Sequence, residues 1–196
     1  MSLILRFERL AEFILVALLL NVNAHGQGTI LWDESVNGPL SQDFSTPTSL
    51  SPVQAGTNSI IGKTEVVPVG NNWFGSPDFF TFSVPNNLVV SALFLSIDKP
   101  NVSAWIGDVS YANQLALAGS PVSGNLLAQW GLTSIGAGTY GMYMDNHDQQ
   151  AVTSIASYRL DLFTQAIPEP GTLSLALVGL GVVGIRRWKR IRRHQK

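Results

Sequence analysis

Hydrophobic and polar residues alternate with period two through the middle of this 196-residue chain, and apolar residues run unbroken near both of its ends. In Asp78 to Val84, Phe80, Phe82 and Val84 fall on one face while Thr81 and Ser83 fall on the other, the mark of a half-buried strand. Val89, Leu93, Leu95 and Ile97 are expected to share a face in the next segment. Tyr140, Met142 and Met144 alternate with Gly141, Tyr143 and Asp145, and Tyr158, Leu160 and Leu162 alternate with Arg159 and Asp161 in a last strand. Turn-forming residues punctuate these runs at Pro85-Asn86-Asn87, Asp98 to Asn101, Gly119-Ser120-Pro121, Gly136-Ala137-Gly138 and Asp145 to Asp148. No segment of the middle carries a long helical period. The pattern therefore predicts an all-β body, a single antiparallel β-sandwich or jelly roll over residues 25–165.

The two apolar runs differ from the body and from each other. Arg6 and Arg9 precede the run from Phe13 to Leu20, and Val22-Asn23-Ala24 then offers the modest side chains that a signal peptidase reads. Residues 1–24 are expected to be a signal peptide cut after Ala24, with a cut after Gly26 as the alternative. At the other end, Pro168 and Pro170 lack backbone donors, and Pro170 biases Glu169 away from helix, so Pro168-Glu169-Pro170 should be extended and accessible to a processing enzyme. The 14 uncharged residues from Thr172 to Ile185 would span only about 21 Å as a helix, against a hydrocarbon core of about 30 Å. A transmembrane helix over about 172–188 is expected to need help from its flanks. Trp188 suits an interface, and the basic tail 186–196, with Arg186, Arg187, Lys189, Arg190, Arg192 and Arg193, can snorkel to lipid phosphates and stay in the cytoplasm. The body then lies across the membrane.

Charge divides the chain in the same way. Of its 12 basic residues only Lys63, Lys99 and Arg159 lie between His25 and Ile167, against 10 acidic residues there, so the body is about 7 negative while the whole chain is −1. Such a surface argues against nucleic acid as a partner, which requires a clustered basic patch. The chain has no cysteine, hence no disulfide and no thiolate chemistry, and stability must come from the apolar core.

The order Pro-Glu-Pro, short apolar helix and arginine cluster, with Gly171, Thr172, Gly179, Gly181 and Gly184, resembles the PEP-CTERM sorting signal of bacterial exported proteins over residues 166–196. The resemblance implies a substrate of exosortase, a membrane-embedded cysteine protease, which cuts near Pro168-Glu169-Pro170 and releases or transfers the body to the cell surface or an extracellular polysaccharide layer. The body is also similar, over Ile30 to Phe163, to the bacterial pre-peptidase C-terminal family, through Asp78-Phe79-Phe80-Thr81-Phe82 and Gly136-Ala137-Gly138-Thr139-Tyr140. That likeness implies a secreted jelly-roll module with an accessory or binding role rather than a catalytic one.

Candidate chemistry in the body is sparse. Of three histidines only His147 falls well inside it, and neither a Gly-x-Ser-x-Gly elbow nor a His-Glu-x-x-His motif occurs. No cofactor is expected, with calcium as the one candidate, since Asp145, Asn146 and Asp148 could offer clustered oxygens, as could Asp33, Glu34, Asn37 and Asp43. Among Trp32, Trp73, Trp105 and Trp130, Trp73 is the candidate for stacking on sugar rings, since Asn71-Asn72-Trp73-Phe74-Gly75 reads as a Gly- and Asn-rich loop that would expose it. The favoured reading is a non-enzymatic surface or matrix protein that adheres or binds. The alternative is a secreted hydrolase of polysaccharide or peptide, which would need a pair from Asp33, Glu34, Asp43, Glu65, Asp78, Asp98, Asp108 and Asp161 to meet in one pocket.

Overall fold

The structure, a computed structural model, describes residues 28–70, 72–99, 101–118, 123–148 and 152–167. The alternating segments form strands wherever the sequence places them, and these assemble into two sheets. The first holds β1 (Thr29–Asp33), β3 (Gly56–Val69), β4 (Asn72–Ser76), β6 (Leu88–Ile97), β9 (Gly124–Asn125) and β11 (Ser154–Ala166), in the order β1-β3-β11-β6-β9, with β4 on the far half of β3. The second holds β2 (Thr48–Ser49), β5 (Asp78–Val84), β7 (Val102–Gly107), β8 (Gln114–Ala118) and β10 (Gly138–Asn146), in the order β2-β5-β10-β7-β8. Two four-residue helical turns, α1 (Glu34–Asn37) and α2 (Leu126–Gln129), interrupt the strands.

The sheets are mixed rather than purely antiparallel. β1 runs parallel to β3 and β2 parallel to β5, both in outer positions. Side-chain alternation is the same for either strand direction, so the pattern carried no information on this point. Parallel neighbours need a crossover, and the segment between β1 and β3 supplies it.

The inward faces merge into one core. Phe80, Phe82 and Val84 of β5, Met142 and Met144 of β10, Leu93 and Leu95 of β6, and Tyr158, Leu160 and Leu162 of β11 are all buried there. Leu160 is flanked in register by Ile60 on β3 and Leu95 on β6. In β6 the expected shared face fails: Leu88 and Val90 are buried while Val89 is only half-buried, and then Leu93 and Leu95 are buried. A register shift opposite Phe163 and Thr164 inserts one residue between Val90 and Ala92. A bulge of this kind reverses the phase of every side chain beyond it.

At the tail end of the sandwich β11 finishes at Ala166, and the Ile167 N–H donates to Asn87 O at 2.8 Å in the turn between β5 and β6. At the distal end β3 runs past β11 and turns at Gly70 (φ 62°) into β4. Pro68 is tolerated there because β11 stops at the level of Val66, so the missing donor has no partner to lose.

Candidate functional site

The distal end gathers the ionisable side chains. Asp78 is the first residue of β5 and shares the inward parity of Phe80, Phe82 and Val84, so the strand carries a carboxyl into the interior, where it is 3% exposed. Tyr158, inward on β11 for the same reason, donates its hydroxyl to Asp78 Oδ2 at 2.8 Å. Burial, followed by the charge of Glu34, raises the Asp78 pKa to about 8, and the Tyr158 hydrogen bond only partly opposes this. Burial and the Asp78 charge likewise push the Tyr158 phenol well above its usual range.

Glu34 reaches this place from the first turn of α1, which Asp33 caps by accepting the Ser35 N–H at 2.9 Å. Its two carboxylate oxygens accept the backbone N–H groups of Leu40 and Lys63, each at 2.9 Å, and so fasten α1 to β3. Glu34, Gln42, Lys63, Glu65, Asp78 and Ile155 line a cavity of about 220 Å³. Three of the eight carboxylates named for the hydrolase alternative, Glu34, Glu65 and Asp78, therefore meet in one pocket. Asp33, Asp43 and Asp108 instead serve turns: Asp43 accepts from the Ser45 amide and hydroxyl, and Asp108 from Ser110, Ala112 and Asn113. Asp98 accepts the Ser157 N–H at 2.8 Å, and Asp161 accepts from Ser59 and Arg159. A protonated acid beside a second carboxylate is a pairing used in acid–base chemistry. Here, however, the acid is almost sealed from solvent and the second carboxylate is occupied by backbone donors.

The residues proposed for calcium close the connection from β10 to β11. Asn146 is 2% exposed, donates to Ser154 O at 3.1 Å and accepts the Asp148 N–H at 2.9 Å, while Asp148 Oδ2 accepts from the Ser154 hydroxyl at 2.6 Å. Asp145 stands apart with Oδ2 3.6 Å from His147 Nε2, its carboxyl pushed up by burial and partly held down by His147. Among the described residues no group of three or more His, Asp or Glu side chains comes together as a metal cage.

The tryptophans are distributed differently from expectation. Trp73 lies not in a loop but on β4, opposite Pro68, and is half-buried, while its neighbour Phe74 is 57% exposed. Trp105 belongs to an aromatic row across the outer face of the second sheet: Phe79, Tyr143 and Trp105 are cross-strand neighbours on β5, β10 and β7. Trp105 stacks on Tyr143 with centroids 5.7 Å apart and on Tyr111 at 5.2 Å. Tyr111, in the loop after β7, lies over the row and donates its hydroxyl to Phe80 O at 2.9 Å, which leaves Trp105 only 5% exposed. Glycine makes that cover possible, because a Cβ at Gly141 would fall 2.5 Å from Asp108 O and 3.1 Å from the Tyr111 ring. The parity of Asp78 and Tyr158 with their buried neighbours was a usable signal for the distal pair. Nothing local in sequence marked Tyr111, whose hydroxyl reaches Phe80 O and Met142 O, each 31 residues away.

Pro168, Glu169, Pro170, Ala24 and the arginines and lysine of the tail lie outside the described residues, as does the apolar run. Among the described residues no helix is long and apolar enough to cross a membrane. Residues 166–193 match the family model of the PEP-CTERM protein-sorting motif, beginning at the last residue of β11. The chain carries that motif, which supports an exported protein sorted to the cell envelope by way of exosortase. No curated protein matches the chain.

Proposed function

We propose that the chain is an exported bacterial surface or extracellular-matrix protein whose sandwich body works by adhesion or binding and not by catalysis. Signal peptidase removes residues 1–24. The apolar run beginning at Thr172 holds the precursor in the membrane, with Arg186, Arg187, Lys189, Arg190, Arg192 and Arg193 in the cytoplasm, and exosortase cuts near Pro168-Glu169-Pro170 to release the body or attach it within extracellular polysaccharide. The observation that carries this reading is the sorting-motif match starting at Ala166, the last residue of β11. The acidic body, about 7 negative between His25 and Ile167, suits a soluble life outside the membrane. Support for a non-catalytic body comes from the distal pocket, where Asp78 is sealed and both Glu34 oxygens hold backbone amides. Its volume of about 220 Å³ is also below the roughly 300–1,000 Å³ usual for small-molecule sites.

The hydrolase reading keeps one observation in its favour, the meeting of Glu34, Glu65 and Asp78. Turnover of a polysaccharide or peptide panel that Glu65→Gln abolishes without lowering the melting temperature would establish it. Mass spectrometry of the mature protein from its host tests the favoured reading. The expected product starts at His25 and lacks residues 186–196, whereas a product retaining Lys196 would overturn processing.

A further inference from the structure

Charge is unevenly placed along the long axis of the sandwich. Among the described residues the distal end carries Glu65, Asp98, Asp145 and Asp148 against Lys63 and Lys99, with Asp78 buried and protonated, whereas the tail end is built from 53–57, 84–88, 130–139 and 164–167, none of which is charged. Among the described residues the acidic groups nearest the tail end are set back on both sheets, while Glu169 follows Ile167 by two residues in the sequence. Asp161 pairs with Ser59, three residues in from Gly56, and Asp108 follows Gly107, which pairs with Gly141, three residues in from Gly138. For Asp161 three residues of strand are about 10 Å, about one Debye length at 0.1 M salt, and Asp108, one residue nearer the end than Gly107, is set back by about 7 Å. Asn86, Asn87, Gln54, Ala137 and Ile167 are exposed at this end. It is also the end from which β1 starts, since Thr29 pairs with Asn58, and from which β11 leaves.

The tether to the apolar run is short. From Ile167 to Thr172 there are five residues, at most about 18 Å when fully extended. A body about 7 negative held that close to anionic phospholipid would be repelled through whichever face carries its carboxylates. We infer that the uncharged tail end is a docking surface for the lipid headgroups of the membrane that holds the precursor, so that the sandwich stands upright with its acidic distal end turned away. This rests on the membrane-anchor reading proposed above. Its consequence is that the Pro168-Glu169-Pro170 segment is presented at the membrane surface, within reach of a membrane-embedded protease.

The absence of cysteine allows single labels to be placed at will. The full chain is reconstituted into vesicles of phosphatidylcholine and phosphatidylglycerol, with a fluorophore on Asn86→Cys or Ala137→Cys at the tail end, or on Val152→Cys, 69% exposed at the distal end. Flotation first reports whether the chain is anchored. Headgroup-attached quenchers are expected to quench the tail-end labels at least threefold more than the distal label. In a second variant, Asn86→Glu added to the Ala137→Cys label should cut that quenching about twofold in phosphatidylglycerol vesicles and leave it unchanged in pure phosphatidylcholine. Failure to float overturns the anchor reading and the docking surface with it. Flotation with equal quenching at both ends, or no response to the added charge, overturns the docking surface alone.

Discussion

The Tyr158 hydroxyl donates to Asp78 Oδ2 at 2.8 Å across the two sheets, joining β11 to β5 inside the sandwich. Asp78 holds its proton to about pH 8 when folded and only to about 3.8 when unfolded. Between these values the folded state binds more protons, so stability is full below about pH 4 and is lost as pH rises towards 8. Asp145, raised by burial, adds in the same direction. Asp43 and Asp108, held low by their hydroxyl and amide partners, act oppositely below about pH 4. The melting temperature should therefore peak near pH 4 and fall towards pH 8, as Asp78 lowers the unfolding free energy by no more than about 1.4 kcal/mol per pH unit. Asp78→Asn, which still accepts from Tyr158, should flatten most of that slope; an unchanged slope in scanning calorimetry would show that another group governs it.

Gly62 faces Tyr158 in register, and a Cβ there would sit 2.5 Å from the phenol oxygen. Tyr158 is fully buried among Asp78 and the core and has little room to yield. Gly62→Ala should cost about 2 kcal/mol or more by overpacking and by displacing the hydroxyl from Asp78. Urea unfolding would measure it, and a loss below about 0.5 kcal/mol would mean the ring relocates freely.

Tyr111 shields Trp105 on the outer face of the second sheet. Tyr111→Ala removes the stacked ring and the donor to Phe80 O, at a cost of about 2–4 kcal/mol. The sharper readout is optical: tryptophan emission should shift to the red and acrylamide quenching should rise. Tyr111→Phe should keep the emission maximum and lose about 1 kcal/mol.

Asn146 and Asp148 spend their oxygens on Ser154 and on each other. Millimolar calcium is accordingly expected to leave the melting temperature unchanged and to give no binding heat. A rise of several degrees would show that this connection rearranges around the ion.

Trp73 on β4 presents only part of its ring. If polysaccharide adhesion uses it, Trp73→Ala should weaken retention on an affected polymer roughly 5-fold or more, on the scale of 1 kcal/mol for one aromatic contact. Retention equal to the wild type would direct attention to Phe74, its exposed neighbour.

Period two was enough to find β5, β10 and β11, because each presents one face to the core and one to solvent along its whole length. The same rule misplaced Val89, since a single inserted residue resets the phase and nothing in Leu-Val-Val-Ser-Ala distinguishes a bulge from a regular strand. Asp78 shares the parity of Phe80, Phe82 and Val84, so an inward carboxyl was legible there, although only the apolar members of that face were assigned inward from sequence. Its partner could not be named, because Tyr158 lies 80 residues away and meets it only when the sheets close. Trp73 was assigned to a loop on composition, whereas hairpin pairing with Pro68 and its neighbours makes that segment a strand.

What the sequence determined by itself was local or compositional: alternating strands, an acidic body between apolar extremities, and a sorting signal read as a linear order of residues that needs no tertiary partner. What only the tertiary structure decided was everything set by contacts between distant segments. The parallel outer pairs, the protonated Asp78 under Tyr158, the burial of Trp105 under Tyr111 and the charge-free end beside the tail all depend on which strands neighbour which. Pairing energy is spread over many weak long-range contacts, and no short stretch of chain encodes it.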